Sequence, residues 1–136
     1  MEEVLHSVFR DINIHKYWSV YYWLGDTGSA MNRWGIPEWL EREVRQRDRA
    51  CVYCRVPMVE SPTADGSRKS VATWEHIIND ARIVTPQNIA RCCASCNSSK
   101  GTNALAVWIE SSYCKRRGIR PDTVAEVVKQ ALRLSA

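Results

Sequence analysis

Two pairs of cysteines with the same spacing constrain this chain more than any other feature of its sequence. Cys51 and Cys54 form one C-x-x-C pair, Cys93 and Cys96 form the other, and 38 residues separate the pairs. Two intervening residues let both thiolates of a pair reach one ion from a tight turn, and four thiolates complete the closed tetrahedral shell of structural zinc. The spacing therefore predicts one Zn²⁺ ion that supports folding and has no open position for water.

Other uses of the cysteines stay open at the level of sequence. A redox-active C-x-x-C accounts for one pair but not for both, and disulfides require an oxidising compartment. Cys92 offers a one-residue slip of the second pair, although the C-x-x-C spacing favours Cys93. Cys114 lies in a helical stretch away from both pairs and is expected to be a small buried residue.

The start of the chain bears on the compartment. It carries acidic residues and no long apolar run, which is unlike a signal peptide. The most apolar stretch, residues 17–24, is far shorter than the roughly 20 residues that a membrane-spanning helix needs. We therefore expect a cytoplasmic protein without a membrane partner, in reducing conditions that leave thiols available for metal binding.

Length and charge bound the domain organisation and the partner. A chain of 136 residues is long enough for one domain with a modest core, so we expect a single domain over 1–136. Residues 51–120 carry ten Lys and Arg against five Asp and Glu, a net charge of +5, whereas residues 1–50 have a net charge of −1. A basic segment is typical of a solvated surface or of attraction to a polyanion such as nucleic acid.

The N-terminal segment, residues 1–50, is expected to be helical with an interruption at Gly25–Gly28. Pro37 is well placed in the first turn of a helix that runs to about Arg47. The aromatic run at 17–23 is typical of a core or a dimer face, with base stacking as the alternative.

The rest of the chain divides into two segments. Residues 51–101 read as short strands and turns, and residues 102–136 return to helix. Thr123 and Glu126 have the spacing of a capping box. The apolar positions that follow at helical period are Val124, Val127, Val128, Ala131 and Leu132.

Three further motifs lie between and within the cysteine pairs. They are WEHI at 74–77, PQNI at 86–89 and CNSSKG at 96–101. An acid-His-Ile element, an Asn before a short strand and a C-x-x-C-N-x-x-K-G element opening a helix, in this order, resemble the HNH endonuclease family. The resemblance covers about residues 48–105. It implies an α+β fold in which a small ββα-metal core, held by structural zinc, is flanked by N- and C-terminal helices.

The resemblance also implies metal-dependent hydrolysis of DNA phosphodiester bonds. His76 is the expected general base, since a side chain with an ordinary pKa near ~6.5 accepts a proton from water at neutral pH. Glu75 and Asn97 offer oxygen ligands for Mg²⁺, or for Mn²⁺ or Ni²⁺, and Asn88 is expected to hold the loop that orients His76. The expected phosphate contacts are Lys100, Arg82 and Arg91.

Each of these residues has a structural alternative. Asn88 follows a proline and suits a turn, and Asn97 suits a helix N-cap. The acid before the histidine is commonly Asp in the family, whereas this chain has Glu75. Consecutive strand residues also face opposite ways, so Glu75 and His76 share a site only where the strand ends or bulges.

The expected partner is double-stranded DNA, as for a nuclease encoded by a bacterium or a phage. A homodimer stays open beside a monomer, since one HNH site cuts one strand. The alternative function is a noncatalytic zinc module that binds nucleic acid or a protein. Such a module needs the cysteines and the basic surplus but has no use for His76 and Asn97 together. A dithiol redox protein is a third interpretation.

Overall fold

The computed structural model describes residues 30–135, which form helices around one small sheet. The elements in chain order are α1 (Glu38–Arg47), β1 (Ala72–His76), β2 (Ile89–Cys93), α2 (Ala94–Lys100), α3 (Leu105–Trp108), α4 (Ser112–Arg117) and α5 (Glu126–Ser135). The predicted α+β class is confirmed for this part of the chain. The aromatic run at 17–23 and the interruption at Gly25–Gly28 lie outside the described residues.

Helix α1 is the helix expected after Pro37, which precedes its first residue with extended backbone. Leu40 and Val44 lie one turn apart on α1, and both are fully buried. They pack with Ile36 and with Ile89 of β2 in a small apolar cluster, against which Trp74 of β1 also packs. Helix α1 therefore covers one face of the sheet.

Strands β1 and β2 pair antiparallel, with Ala72 opposite Cys93 and His76 opposite Ile89. All five residues of β2 are buried. Both faces of β2 are buried because α1 covers one side of the sheet and α2 packs on the other. Helix α2 starts directly after β2. The three motifs lie on this strand–strand–helix unit and on the loop at 77–88 that joins its strands. WEHI ends β1, PQNI leads into β2, and CNSSKG runs along α2 to Gly101, directly after its last residue.

Helix α5 buries the face that its apolar period predicts, through Val127, Val128 and Ala131. The predicted capping box is wrong. The Thr123 hydroxyl accepts a hydrogen bond from the backbone N–H of Arg120 at 2.9 Å and thus closes the preceding turn. Helix α5 begins at Glu126, whose carboxylate pairs with Arg133. Among the described residues, the helices are too short and too polar for any of them to traverse a lipid bilayer.

Candidate functional site

The four cysteines of the two C-x-x-C pairs come together in the structure. The sulfur atoms of Cys51, Cys54, Cys93 and Cys96 all lie within 4.8 Å of one another. The Cys54 and Cys93 sulfurs are 3.7 Å apart, close to the ~3.8 Å edge of a tetrahedron with Zn–S bonds of ~2.3 Å. The donor set and its geometry fit zinc, and the prediction of Cys93 rather than Cys92 is confirmed.

Two tight turns bring these sulfurs together. Arg55, in the left-handed region at φ 65°, reverses the chain after the first pair, and its N–H bonds the carbonyl of Cys51 at 3.0 Å. Cys93 ends β2, and Cys96 lies in the first turn of α2 with its N–H bonded to the Cys93 sulfur at 3.4 Å. All six cysteines are free of disulfides, and Cys114 is buried as expected.

The close approach of the four thiols shifts their pKa values in opposite directions. Hydrogen bonds from the other three thiols lower the pKa of Cys54. The same close neighbours raise the pKa of Cys96, because its thiol keeps a proton between the sulfurs. Because metal ligands must be deprotonated, binding of a metal by the four thiols would release the protons that they share.

Helix α4 supplies contacts to this cluster that the cysteine spacing does not reveal. The Tyr113 hydroxyl lies 3.4 Å from the Cys96 sulfur, and the Arg117 guanidinium lies 3.7 Å from the Cys54 sulfur. Arg117 also stacks over the Tyr113 ring at 5.2 Å. These donors stabilise negative charge on the sulfurs, as outer contacts of zinc ligands generally do. The only sequence signal for them was the basic surplus of the segment.

Glu75 and Lys100 form a buried ion pair between β1 and α2. The Lys100 ammonium donates to Glu75 Oε1 at 2.9 Å, and the two side chains are 0% and 5% exposed. The thiol of Cys92 lies 3.6 Å from the other carboxylate oxygen. Burial raises the pKa of Glu75, and the neighbouring ammonium opposes this shift. The Lys100 ammonium therefore lies inside the core, paired with Glu75, and not at the surface where the predicted phosphate contact would need it.

His76 is the last residue of β1 and lies on the opposite face of the strand from Glu75. The pairing of both residues with β2 is continuous, without a bulge, so successive side chains alternate. Within the described residues, the buried His76 Nε2 has no hydrogen-bond partner. Burial lowers the pKa of His76, Asp80 opposes the shift, and the Lys100 charge adds to it. The lowered pKa favours the neutral imidazole of His76 at neutral pH.

Asn88 bridges the two ends of the loop between β1 and β2. Its Oδ1 accepts from the N–H of Ile78 at 2.7 Å, and its Nδ2 donates to the carbonyls of Ile78 at 3.2 Å and Ile83 at 3.0 Å. Its own carbonyl accepts from the N–H of Ile77 at 2.9 Å. Asn88 is 3% exposed. These bonds fix the backbone that directly follows His76.

The predicted ligands of a divalent cation do not fit one in this arrangement. Glu75 is engaged by the Lys100 ammonium, and a second cation there would face that positive charge. The Asn97 amide donates to Thr73 Oγ1 at 2.8 Å and to the carbonyl of Trp74 at 3.2 Å, which ties α2 to β1. Over residues 30–135, the four cysteines are the one group of three or more His, Cys, Asp or Glu placed to hold a metal.

The two predicted arginine contacts differ in accessibility. The Arg91 side chain is 7% exposed, donates to both oxygens of Glu60 at 2.7 and 2.9 Å and packs over Trp74. The structure therefore engages Arg91 within the protein, away from the surface where the predicted phosphate contact would need it. Arg82 is 90% exposed and paired with Asp80 at 2.9 Å, where a phosphate can reach it.

Comparison of the chain with protein-family models, with curated proteins and with solved structures found no match.

Proposed function

We propose that this chain is a zinc-containing endonuclease of the HNH type that hydrolyses phosphodiester bonds in double-stranded DNA. The observation that carries the proposal is the place of His76, which is half buried at the end of β1 beside a loop that the buried Asn88 holds, and whose lowered pKa favours the neutral imidazole. A neutral imidazole in this place suits a general base.

His76 is the residue that acts on water in the proposed reaction. Its neutral imidazole accepts a proton from a water molecule, the water oxygen forms a bond to phosphorus, and the bond from phosphorus to the leaving sugar oxygen breaks. The lowered pKa of His76 keeps the base unprotonated at neutral pH. The leaving oxygen takes its proton from solvent.

The rest of the unit positions this base. Asn88 holds the backbone of the loop after His76 through its bonds to Ile78 and Ile83. The cysteine cluster, with zinc bound, fixes the junction of β2 and α2 against the turn at 51–55. Arg82 is the phosphate contact that its exposure supports. The divalent cation implied by the resemblance has no assigned step, because Glu75 is taken by Lys100.

The second candidate function is a noncatalytic zinc module that binds nucleic acid. A specific observation favours it: Glu75, Asn97 and Lys100 bond to the protein itself rather than opening towards a substrate. The same zinc cluster and the exposed arginines serve this function equally well. The two functions differ in whether bound DNA is cut.

A plasmid assay separates the two. Zinc-loaded protein is incubated with supercoiled plasmid in buffer freed of divalent cations, then with Mg²⁺, Mn²⁺ or Ni²⁺ added, while DNA binding is measured by gel shift. Nicked product in any condition supports the nuclease, and early linear product supports a dimer. Tight binding without cleavage in every condition contradicts the nuclease and favours the module.

A further inference from the structure

Lys100 has an unusual place for a lysine at the end of a helix. It is the last residue of α2, and Gly101 ends the helix with φ 51°. Its side chain nevertheless points inward and is 0% exposed. The ammonium bonds Glu75 Oε1 at 2.9 Å and lies 3.5 Å from the carbonyl oxygen of His76. A positive charge therefore lies beside the backbone of His76, the residue that the proposed function uses as a base.

We infer that the Lys100 ammonium is the resident cation of this site and that the folded chain excludes a divalent metal from Glu75. The charges of the carboxylate and the ammonium cancel. A divalent ion at the same carboxylate oxygen would meet the ammonium at contact distance, in surroundings that screen the repulsion poorly. When the Glu75 carboxylate is paired with Lys100, only the neutral amide of Asn97 is left, and one amide is a poor ligand for Mg²⁺ or Mn²⁺.

The same ammonium acts as a positioning group for His76. By bonding the His76 carbonyl it ties the end of β1 to the end of α2, while Asn88 ties the following residues to the start of β2. The two ties hold the backbone on either side of the imidazole. This part of the inference rests on the proposed function, whereas the exclusion of the metal does not.

Binding of Mn²⁺ to zinc-loaded protein without DNA tests the inference. Free Mn²⁺ is counted by electron paramagnetic resonance for the wild type, Lys100→Ala, Lys100→Ala with Glu75→Gln, and the exposed control Lys69→Ala. We expect weak, nonspecific binding by the wild type and the control. Lys100→Ala is expected to bind Mn²⁺ about tenfold more tightly or better, the factor that removal of about 1.4 kcal/mol of repulsion gives. The added Glu75→Gln is expected to abolish this gain.

Paramagnetic broadening in the wild type keeps the test decisive if the variants do not fold. Mn²⁺ that broadens the backbone amide signals of Glu75 and His76 at stoichiometric concentration overturns the inference. Lys100→Ala that folds and gains no Mn²⁺ affinity also overturns it. Because no DNA is present, a chain that fails to cut plasmid leaves these results unchanged. The failure of the proposed function and the failure of the inference are thus told apart.

Discussion

The two ends of helix α2 each carry a group of residues expected to hold a cation, and they differ in how the charge is balanced. At the N-terminal end, Cys93 and Cys96 meet the first cysteine pair, and four sulfurs converge on one point. At the C-terminal end, Lys100 itself provides the positive charge opposite Glu75. The first group is placed to hold a metal, whereas the carboxylate of the second is already paired with an ammonium.

The difference shows what the spacing of donors can and cannot indicate. Cysteine pairs on tight turns have few ways to satisfy four thiols, so their spacing predicts the zinc site directly. A carboxylate has many partners available, and a basic residue on the facing helix satisfies it as well as a metal does. Breaking each end of α2 in turn is therefore expected to have different effects.

Removal of zinc is expected to have the largest effect. Structural zinc contributes on the order of 10 kcal/mol of folding free energy, which is comparable to the whole stability of a small domain. We therefore expect chelation, or Cys96→Ser, to abolish the cooperative unfolding transition and to disrupt the pairing of β1 with β2. Circular dichroism and a zinc count measure this. A chelated protein that unfolds at the same temperature as the zinc-loaded one would contradict the assignment.

Loss of one partner of the buried ion pair is expected to rank second. Lys100→Met leaves the Glu75 carboxylate buried without a counter-charge, which typically costs about 3–5 kcal/mol. Glu75→Gln added to Lys100→Met removes the stranded charge and is expected to recover most of this stability. Urea denaturation of the single and double variants gives the coupling. A loss in the double variant as large as that in Lys100→Met alone would show that the stranded Glu75 charge is not the source of the cost.

Removal of the loop bridge is expected to have a smaller effect on stability and a large one on cleavage. Asn88→Ala leaves the backbone groups of Ile78 and Ile83 unpaired, at about 1–3 kcal/mol for such a group. We expect a lower melting temperature, full zinc content and slower plasmid nicking. The control Asn103→Ala alters an exposed asparagine and is expected to change none of these. Unchanged nicking by folded Asn88→Ala would remove Asn88 from the positioning role.

The pH dependence of nicking is the mildest perturbation. Burial and the Lys100 charge lower the pKa of His76, and Asp80 opposes them. Since the neutral form is the base, the nicking rate is expected to be level at neutral pH and to fall with acidification. The midpoint of that fall should lie below the ordinary histidine value of ~6.5. Initial rates are compared only over the range in which the zinc count stays constant. A midpoint clearly above ~6.5 would contradict the environment described for His76.

Sequence patterns predicted what depends on neighbouring residues. The C-x-x-C spacing selected Cys93 over Cys92, the apolar period placed the buried face of α5, and Pro37 marked the start of α1. The alternation of side chains along a strand predicts that Glu75 and His76 face opposite ways, and the unbroken pairing with β2 shows that they do.

What the sequence did not reveal depends on contacts between distant segments. Lys100 pairs with a residue 25 positions earlier, and Arg91 with Glu60, 31 positions earlier. The resemblance to the HNH family predicts both cations at a phosphate, and nothing in the sequence shows that either is buried. The packing of α2 against β1 buries the Lys100 side chain beside Glu75. Thr123 likewise closes a turn with Arg120, since the chain bends before α5 begins.

Plasmid nicking by His76→Ala, with zinc counted in the same sample, tests the central claim most directly. The zinc end of α2 is proposed to support folding, and His76 is proposed to accept the proton. The variant is therefore expected to keep its zinc and its melting temperature, while nicking falls by about 10²-fold or more, the contribution typical of a general base. Nicking by His76→Ala at the wild-type rate, with zinc retained, would contradict the account.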